Sequence, residues 1–157
     1  MPPTPLLILL LAIATYAQTP LYDKRDGKTY KTVKIGTQIW MAENLNYNAE
    51  GSDCYNNLKN CEIYGRLYNW EIARKSCPNG WRLPGDADWK TLIATVNGDG
   101  EILNAKSGWE KCSRNGTDDY GFSALPGGST FYDYSYDIGR GGYWWSASEH
   151  NNYEAYR

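Results

Sequence analysis

The sequence predicts an α+β domain with two short helices, an irregular antiparallel sheet and long loops. Short alternating segments separated by glycine turns indicate antiparallel strands in the first third of the chain. Two later stretches carry apolar residues at helical spacing. The 7 Trp and 14 Tyr residues supply large side chains for burial, and a net charge of only −2 does not oppose folding. We therefore expect one folded domain with an aromatic-rich core.

Residues 77–89 form the most constrained part of the chain, because they combine one cysteine with two each of tryptophan, proline and glycine. Pro84 keeps the residues before it out of helical geometry, so only a short extended piece precedes it. A helix is predicted next, since Asp86 and Asp88 favour the positive end of the helix dipole and residues 97–98 end the pattern. The apolar face of this helix consists of Trp89, Leu92, Ile93 and Val96.

The segments before this stretch predict a small antiparallel meander and a first helix. Strands are expected at residues 21–23, 28–35 and 38–41, and both connections are too short for a parallel crossover. Residues 46–60 form a polar, Asn-rich loop in this interpretation. Residues 64–74 are predicted to form the first of the two helices.

The C-terminal third predicts further strands around an exposed loop. Residues 120–125 and 142–148 carry strand-forming side chains, whereas residues 129–142 are rich in Tyr, Asp and Gly and indicate a loop. A last strand is expected to begin at residues 154–157. Because the chain ends inside this segment, we expect the domain to lack its final strand.

An N-terminal apolar run predicts export. Residues 6–14 are almost continuously apolar but too few to span a bilayer, and Thr15 and Ala17 place small residues where signal peptidase inspects the chain. We predict a signal peptide at residues 1–17 and one domain at residues 18–157, secreted or displayed at the cell surface, without a transmembrane span. The alternative is that the run forms a buried N-terminal strand or helix.

Four cysteines, Cys54, Cys61, Cys77 and Cys112, fit disulfides better than free thiols, because the predicted export leads to an oxidising compartment. Cys54 and Cys61 enclose a short polar loop, and we predict a bridge between them. Zinc is the weaker alternative, since the chain has no CxxC spacing and His150 is its one histidine. No metal site is predicted from these residues.

Charge and motifs argue against several classes of function. The 16 basic residues are scattered among 18 acidic ones, so neither nucleic acid nor an anionic membrane surface is expected as a partner. One histidine, no Gly-x-Ser-x-Gly motif and no metal-ligand cluster argue against an enzyme, and no catalytic residue is predicted. A pair of carboxylates brought together by the fold, as in a glycosidase, stays an open alternative.

Six segments resemble the Fibrobacter succinogenes major paralogous domain, in the order in which that family has them. They are residues 26–36, 39–45, 64–70, 77–84, 120–128 and 143–149. More distantly, residues 81–89, which begin with Trp-Arg-Leu-Pro, are similar to the formylglycine-generating sulfatase-modifying domains and to C-type-lectin-like folds. The resemblance implies a C-type-lectin-like α+β domain that is secreted or displayed at the surface.

The chain departs from the family's pattern in two places. Gly85 stands where family members usually carry Thr, which reduces the helix capping box to Gly85 with Asp88. The family's domains also continue to a final strand with a cysteine, which the resemblance implies as the partner of Cys77. Without that strand, Cys77 is either unpaired or joined to Cys112.

The favoured function is a non-catalytic binding module whose partner is a polysaccharide or a surface protein. Trp and Tyr faces stack on sugar rings, and the candidate ligand-binding aromatic residues are Tyr132, Tyr134, Tyr136, Tyr143, Trp144 and Trp145. The resemblance to lectins implies calcium as a candidate cofactor, with oxygens from Glu149, Asn151 and Asn152. No other cofactor is expected. In the competing interpretation many aromatic residues belong to the core: Trp70, Trp81, Trp89 and at least one of Trp144 and Trp145.

Two alternatives remain beside carbohydrate binding. One is a structural or protein-interaction scaffold whose loops vary. The other, less favoured, is an enzyme resembling the formylglycine-generating proteins. Those enzymes use a pair of cysteines late in the domain, and nothing after Cys112 matches such a pair.

Overall fold

The structure, a computed structural model, describes residues 19–110, 115–131, 134–151 and 154–155. The expected α+β class is confirmed, and the C-type-lectin-like arrangement stays a prediction. The strands are β1 (Leu21–Asp23), β2 (Lys28–Tyr30), β3 (Thr32–Ile35), β4 (Gln38–Met41), β5 (Gly127–Phe131), β6 (Tyr134–Ile138), β7 (Glu149–Asn151) and β8 (Glu154–Ala155). The helices are α1 (Leu58–Tyr64), α2 (Trp70–Lys75) and α3 (Asp86–Thr95), followed by a 3₁₀ turn at Gly100–Leu103.

The described strands pair as antiparallel hairpins, each of two neighbouring strands, and not as one irregular sheet. The antiparallel pairing is therefore confirmed, but the single strand predicted at residues 28–35 is wrong. Lys31 separates β2 from β3, because its N–H donates to Glu43 Oε2 at 2.7 Å and its carbonyl accepts from Ala42 N at 2.9 Å. These bonds let the chain change strand partners, so β2 pairs with β1 and β3 with β4.

An ion pair between the buried Asp23 and the exposed Arg25 joins the first hairpin to the end of α2. The Asp23 side chain is 2% exposed, and Arg25 Nη2 lies 2.6 Å from Asp23 Oδ2. The same Arg25 atom donates to the Ser76 carbonyl at 2.8 Å, and the guanidinium lies 3.8 Å from the centre of the Tyr47 ring. Hydrogen bonding from Arg25 lowers the pKa of Asp23, so the pair stays ionised at neutral pH.

The polar region around Cys54 and Cys61 contains a helix that the sequence did not predict. Residues 58–64 form α1 and overlap the end of the predicted loop; Asn57 Oδ1 accepts from Asn60 N and caps the helix. The predicted Cys54–Cys61 disulfide is confirmed. Both cysteines are buried, so the bridge fastens the start of this region to α1.

The helix predicted at residues 64–74 is shorter than expected and begins at Trp70. Gly65 has a φ of +77° and ends α1, while the backbone of Leu67 exchanges hydrogen bonds with Asp53. Asn69 then caps α2, since its Oδ1 accepts from Ile72 N at 2.9 Å. The structure thus has two helices where one was predicted.

The helix predicted after Pro84 is confirmed as α3, which supplies the centre of the core. Leu92 and Val96 are almost fully buried, and Trp89 packs against the same cluster. Ile93 was assigned to this apolar face, but it is 53% exposed, so that assignment is wrong. The buried cluster consists of Ile35, Trp40, Leu92, Val96, Leu103, Phe122 and Ala124.

The C-terminal third differs most from the prediction. Residues 120–125 are not a strand; only Ala124 pairs, through a parallel bridge to Asn104. The predicted loop at residues 129–142 contains most of the β5–β6 hairpin, whose register places Ser129 opposite Tyr136. The strand expected to begin at residues 154–157 is confirmed at its start, because β8 pairs with β7.

Residues 144–148, here called the tryptophan segment, are not the strand that their composition predicts. Their hydrogen bonds go to loops and helices: the indole N–H of Trp145 donates to the Tyr68 carbonyl at 2.8 Å. In return, the indole N–H of Trp70 donates to the Ser146 carbonyl at 2.8 Å. Side chains distant in sequence therefore replace a neighbouring strand as partners.

The predicted signal peptide at residues 1–17 lies outside the described residues, as does Cys112. Cys77 carries a free thiol in the described structure, which is the first of its two expected alternatives. Among the described residues, every helix is too short or too polar to cross a bilayer.

Ser148 supplies the hydroxyl that Gly85 lacks at the start of α3. Its Oγ accepts from Asp86 N at 3.0 Å, and Asp88 Oδ2 accepts from Gly85 N at 2.8 Å. A Cβ atom added at Gly85 would lie 3.3 Å from Ser148 Oγ, so the two positions share one space. The tryptophan segment thereby caps the helix from 62 residues away.

Ser148→Ala is expected to lower the free energy of unfolding by about 1 kcal/mol, because the Asp86 N–H loses its acceptor. Urea unfolding followed by tryptophan fluorescence measures the change. Adding Gly85→Ser in the same chain restores a hydroxyl at the N-cap and should recover most of the loss. Equal stability of the single and double variants would contradict the capping role.

Candidate functional site

A cleft of about 930 Å³ lies between β4, the loop before α2, the start of α3, the β5–β6 hairpin and the tryptophan segment. Ten of its lining residues are aromatic. We call it the aromatic cleft and define it by these ring-bearing residues: Trp40, Tyr64, Tyr68, Trp81, Trp89, Phe122, Tyr136, Tyr143, Trp144 and Trp145. Clefts of this size that carry many apolar rings and a few polar groups are typical of small-molecule sites.

Four of the predicted ligand-binding residues meet in the aromatic cleft: Tyr136, Tyr143, Trp144 and Trp145. Tyr134 does not line it and is 70% exposed. Glu149 also lies outside the lining, and its Oε1 is 3.9 Å from Arg74 Nη1. Tyr132, Asn152 and the side chain of Asn151 lie outside what the structure describes, so the calcium site proposed for Glu149, Asn151 and Asn152 stays a prediction.

Sequence reasoning missed the opposite wall of the cleft. Trp40 was not proposed for a site, and Trp81 and Trp89 were assigned to the core. Trp89 does pack against the core, but it lines the cleft as well. Residues 80–84 form part of this wall: Gly80 lies in a turn with a φ of +82°, and Pro84 keeps Leu83 out of helical geometry. Pro84 is the sequence feature that could have predicted irregular backbone in this part of the site.

Hydrogen bonds hold several cleft rings in place. The Trp144 indole N–H donates to Asn44 Oδ1 at 2.9 Å, and the Tyr143 hydroxyl donates to Asp137 Oδ2 at 2.7 Å. The Tyr68 hydroxyl donates to the Tyr47 carbonyl at 2.7 Å, and burial raises the pKa of Tyr68 well above its usual range. These rings therefore present neutral, oriented surfaces at physiological pH.

Every charged side chain of the cleft lining has a bonding partner within the protein. Arg82 donates to both oxygens of Asp88, at 2.6 Å and 2.8 Å. Arg66 Nε donates to Ser52 Oγ at 2.9 Å, and Glu43 accepts from Lys31 N. With Asp137 bound by Tyr143, the two arginines and three carboxylates of the lining all have protein partners. Two arginines against three carboxylates give the lining a net charge of −1, so the cleft presents no strong charge of either sign.

Cys77 also lines the cleft, and its chemistry is that of a half-buried thiol. Burial raises the pKa of Cys77, so the thiol is protonated at neutral pH. A protonated thiol is a weak nucleophile and a weak metal ligand. Within the described ranges, no group of three or more His, Cys, Asp or Glu side chains is arranged to hold a metal ion.

Fold and site together define a disulfide-containing α+β domain with an aromatic cleft. The chain belongs to the Fibrobacter succinogenes major domain family, whose family model matches residues 33–157. The resemblance seen in the sequence segments is therefore confirmed. No curated protein and no solved structure gave a significant match to the chain.

Asp88→Asn is expected to lower the free energy of unfolding at pH 7 by about 1 kcal/mol, the partial exposure of Arg82 limiting the effect. Bonding to Arg82 lowers the pKa of Asp88 from an ordinary value of about 4 to about 2. The folded carboxylate holds its proton less tightly than the unfolded one, so the stabilisation is complete above pH 4. It is lost as the pH falls towards 2.

The measurement is urea unfolding of the native protein, Asp88→Asn and Arg82→Gln between pH 2 and pH 7. Arg82→Gln should reduce the same pH dependence, since it removes the partner charge. A difference between native protein and Asp88→Asn that is constant from pH 2 to pH 7 would refute the assignment.

Proposed function

We propose that this chain is a non-catalytic binding module that holds an uncharged carbohydrate in the aromatic cleft. The observation that carries the proposal is the convergence of aromatic residues from five separate parts of the chain on one open space. Sugar rings have apolar faces that stack on Trp and Tyr, and hydroxyls that bond to neutral polar groups. The cleft offers both kinds of contact.

Access for a long glycan is supported by the rim of the cleft. Tyr136 is 47% exposed and Tyr143 is 48% exposed, so both rings present area to solvent. Deeper residues such as Trp40 are buried. A glycan that stacks on Tyr136 and Tyr143 and inserts one sugar unit towards Trp40 would contact both the exposed rim and the buried part of the cleft.

The absence of concentrated charge favours a neutral ligand. Arg82 is paired with Asp88, and the two arginines of the lining are outnumbered by its three carboxylates, so the cleft does not favour a carboxylate or a phosphate. The carboxylates Glu43, Asp88 and Asp137 likewise hold bonds within the protein.

We further propose that the module works outside the cytoplasm, as a secreted or cell-surface protein. The Cys54–Cys61 disulfide fits an oxidising compartment, and residues 1–17 have the pattern of a signal peptide. Insoluble or surface-attached polysaccharide is the class of ligand that we propose for it.

A protein-interaction scaffold is the second candidate, and exposed apolar side chains on α1 favour it. Leu58 and Ile63 are both exposed at the surface of this helix, away from the cleft. Such residues are available to a protein partner. The two candidates predict different ligands and different surfaces.

Tyr136→Ala and Tyr143→Ala are each expected to weaken glycan binding about fivefold, the typical loss for one aromatic contact. The assay is retention of the purified domain on insoluble cellulose and xylan, with titration of soluble glycans, in the presence and absence of a calcium chelator. The matched control is Tyr134→Ala, on the same strand but outside the cleft. It should bind like the native protein.

Three other results carry distinct meanings. Binding abolished by chelator alone would assign the site to calcium and not to the aromatic rings. Equal loss in Tyr134→Ala and Tyr136→Ala would place the ligand outside the cleft. Failure of the native protein to bind every glycan tested would overturn the carbohydrate proposal and favour the scaffold.

A further inference from the structure

Three Asn-Gly pairs occur in the chain, at residues 79–80, 97–98 and 115–116. In such a pair the backbone nitrogen of the glycine can attack the side-chain amide of the asparagine, because glycine has no Cβ atom to hinder the approach. The attack needs a glycine N–H that no acceptor holds, and it needs room for the backbone to turn. The structure gives the three pairs different surroundings in both respects.

The pair at residues 79–80 has both a free N–H and room. The Pro78 carbonyl accepts from Trp81 N at 2.9 Å and closes a β-turn. Asn79 and Gly80 are the central residues of this turn, and both are exposed. Among the residues that the structure describes, neither the Gly80 N–H nor the Asn79 side chain has a hydrogen-bond partner. A Cβ atom added at Gly80 would meet no atom within 4 Å, so the turn has space to rearrange.

The pair at residues 97–98 has no free N–H. Gly98 N donates to the Ile93 carbonyl at 2.9 Å, at the C-terminal end of α3. This bond must open before the nitrogen can turn towards the Asn97 side chain. The end of the helix therefore protects the pair.

The third pair lacks both a free N–H and room. Gly116 N donates to the Ala105 carbonyl at 3.1 Å. The Asn115 side chain is held as well, since its Oδ1 accepts from Trp109 N at 3.3 Å. A Cβ atom added at Gly116 would collide with the Asn104 carbonyl. Both reacting groups are thus fixed by the fold.

We propose that Asn79 is a site of spontaneous deamidation, at which the folded chain converts an amide into a carboxylate. Gly80 N forms a bond to Asn79 Cγ, and the Cγ–Nδ2 bond breaks. The amide nitrogen takes up the proton of Gly80 N and leaves as ammonia, which gives a cyclic succinimide. Water then adds to one of the two ring carbonyls. Opening at Cγ leaves aspartate, and opening at the backbone carbonyl leaves isoaspartate, in which the main chain runs through Cγ.

This modification changes the wall of the aromatic cleft, because Gly80 and Trp81 both line it. Either product adds one negative charge at this part of the wall. Isoaspartate also lengthens the backbone by one carbon atom ahead of Trp81. The reaction needs only the turn and water, so it is independent of the ligand that the cleft binds.

The first test compares the folded chain with the chain unfolded in guanidinium chloride, at one pH and one temperature. Trypsin releases peptides 76–82, 91–106 and 115–140, each with one Asn-Gly pair, and mass spectrometry measures the converted fraction of each asparagine. In the unfolded chain the three pairs should convert at similar rates. In the folded chain Asn97 and Asn115 should convert at least about fivefold more slowly than Asn79, because each needs a backbone hydrogen bond to open.

Two results of this test would overturn the proposal. One is conversion at Asn97 or Asn115 in the folded chain that is as fast as conversion at Asn79. The other is a slowing of Asn79 on folding to the same degree as the other two asparagines.

The second test measures isoaspartate in the aged folded chain by enzymatic methylation of its free carboxylate. Asn79→Gln should lose most of the signal, because a glutamine side chain has to close a larger ring, which forms far more slowly. Asn97→Gln is the matched control and should keep the signal of the native chain. A signal that persists in Asn79→Gln would refute the site. Asn79 is exposed, so this variant is expected to fold, and the first test needs no variant.

Discussion

The reciprocal indole bonds between residues 68–70 and residues 145–146 are the interaction on which the aromatic cleft depends. Trp145 donates to the Tyr68 carbonyl, and Trp70 donates to the Ser146 carbonyl. Together they act like the paired bonds of a sheet, but each donor is a side chain. Because the tryptophan segment is held at α2 in this way, Trp144 and Trp145 line the cleft opposite β4.

The core and the cleft share α3, and this sharing gives the site a rigid base. Leu92 and Val96 lie in the buried cluster, whereas Trp89, one turn earlier, contacts both the cluster and the cleft. Arg82 and Asp88 fix the approach to the helix, and Ser148 caps it. Side chains supported by packed elements keep their orientation better than side chains on free loops.

Residues close in sequence predicted part of the secondary structure correctly. The errors arise where contacts between distant parts of the chain decide the structure. The helix after Pro84, the first turns and the Cys54–Cys61 bridge each follow from residues close in sequence. Residues 142–148 have strand composition, but their partners are indoles, carbonyls and a helix end from other parts of the chain. The candidate site shows the same difference. The aromatic residues at 134–145 are close in sequence and could be predicted as a group, whereas Trp40 joins them only in the folded chain.

The contacts of the tryptophan segment span long stretches of chain. Trp144 bonds to Asn44, which is 100 residues earlier, and Trp145 bonds to Tyr68, which is 77 residues earlier. Trp70 bonds to Ser146, which is 76 residues later. The chain loses conformational entropy in closing loops of this size before the contacts stabilise it. This loss slows folding. During synthesis, the loop before α2 and the cap of α3 stay incomplete until residue 148 has left the ribosome. We therefore expect the domain to fold as one unit, and only after residue 148 has been synthesised.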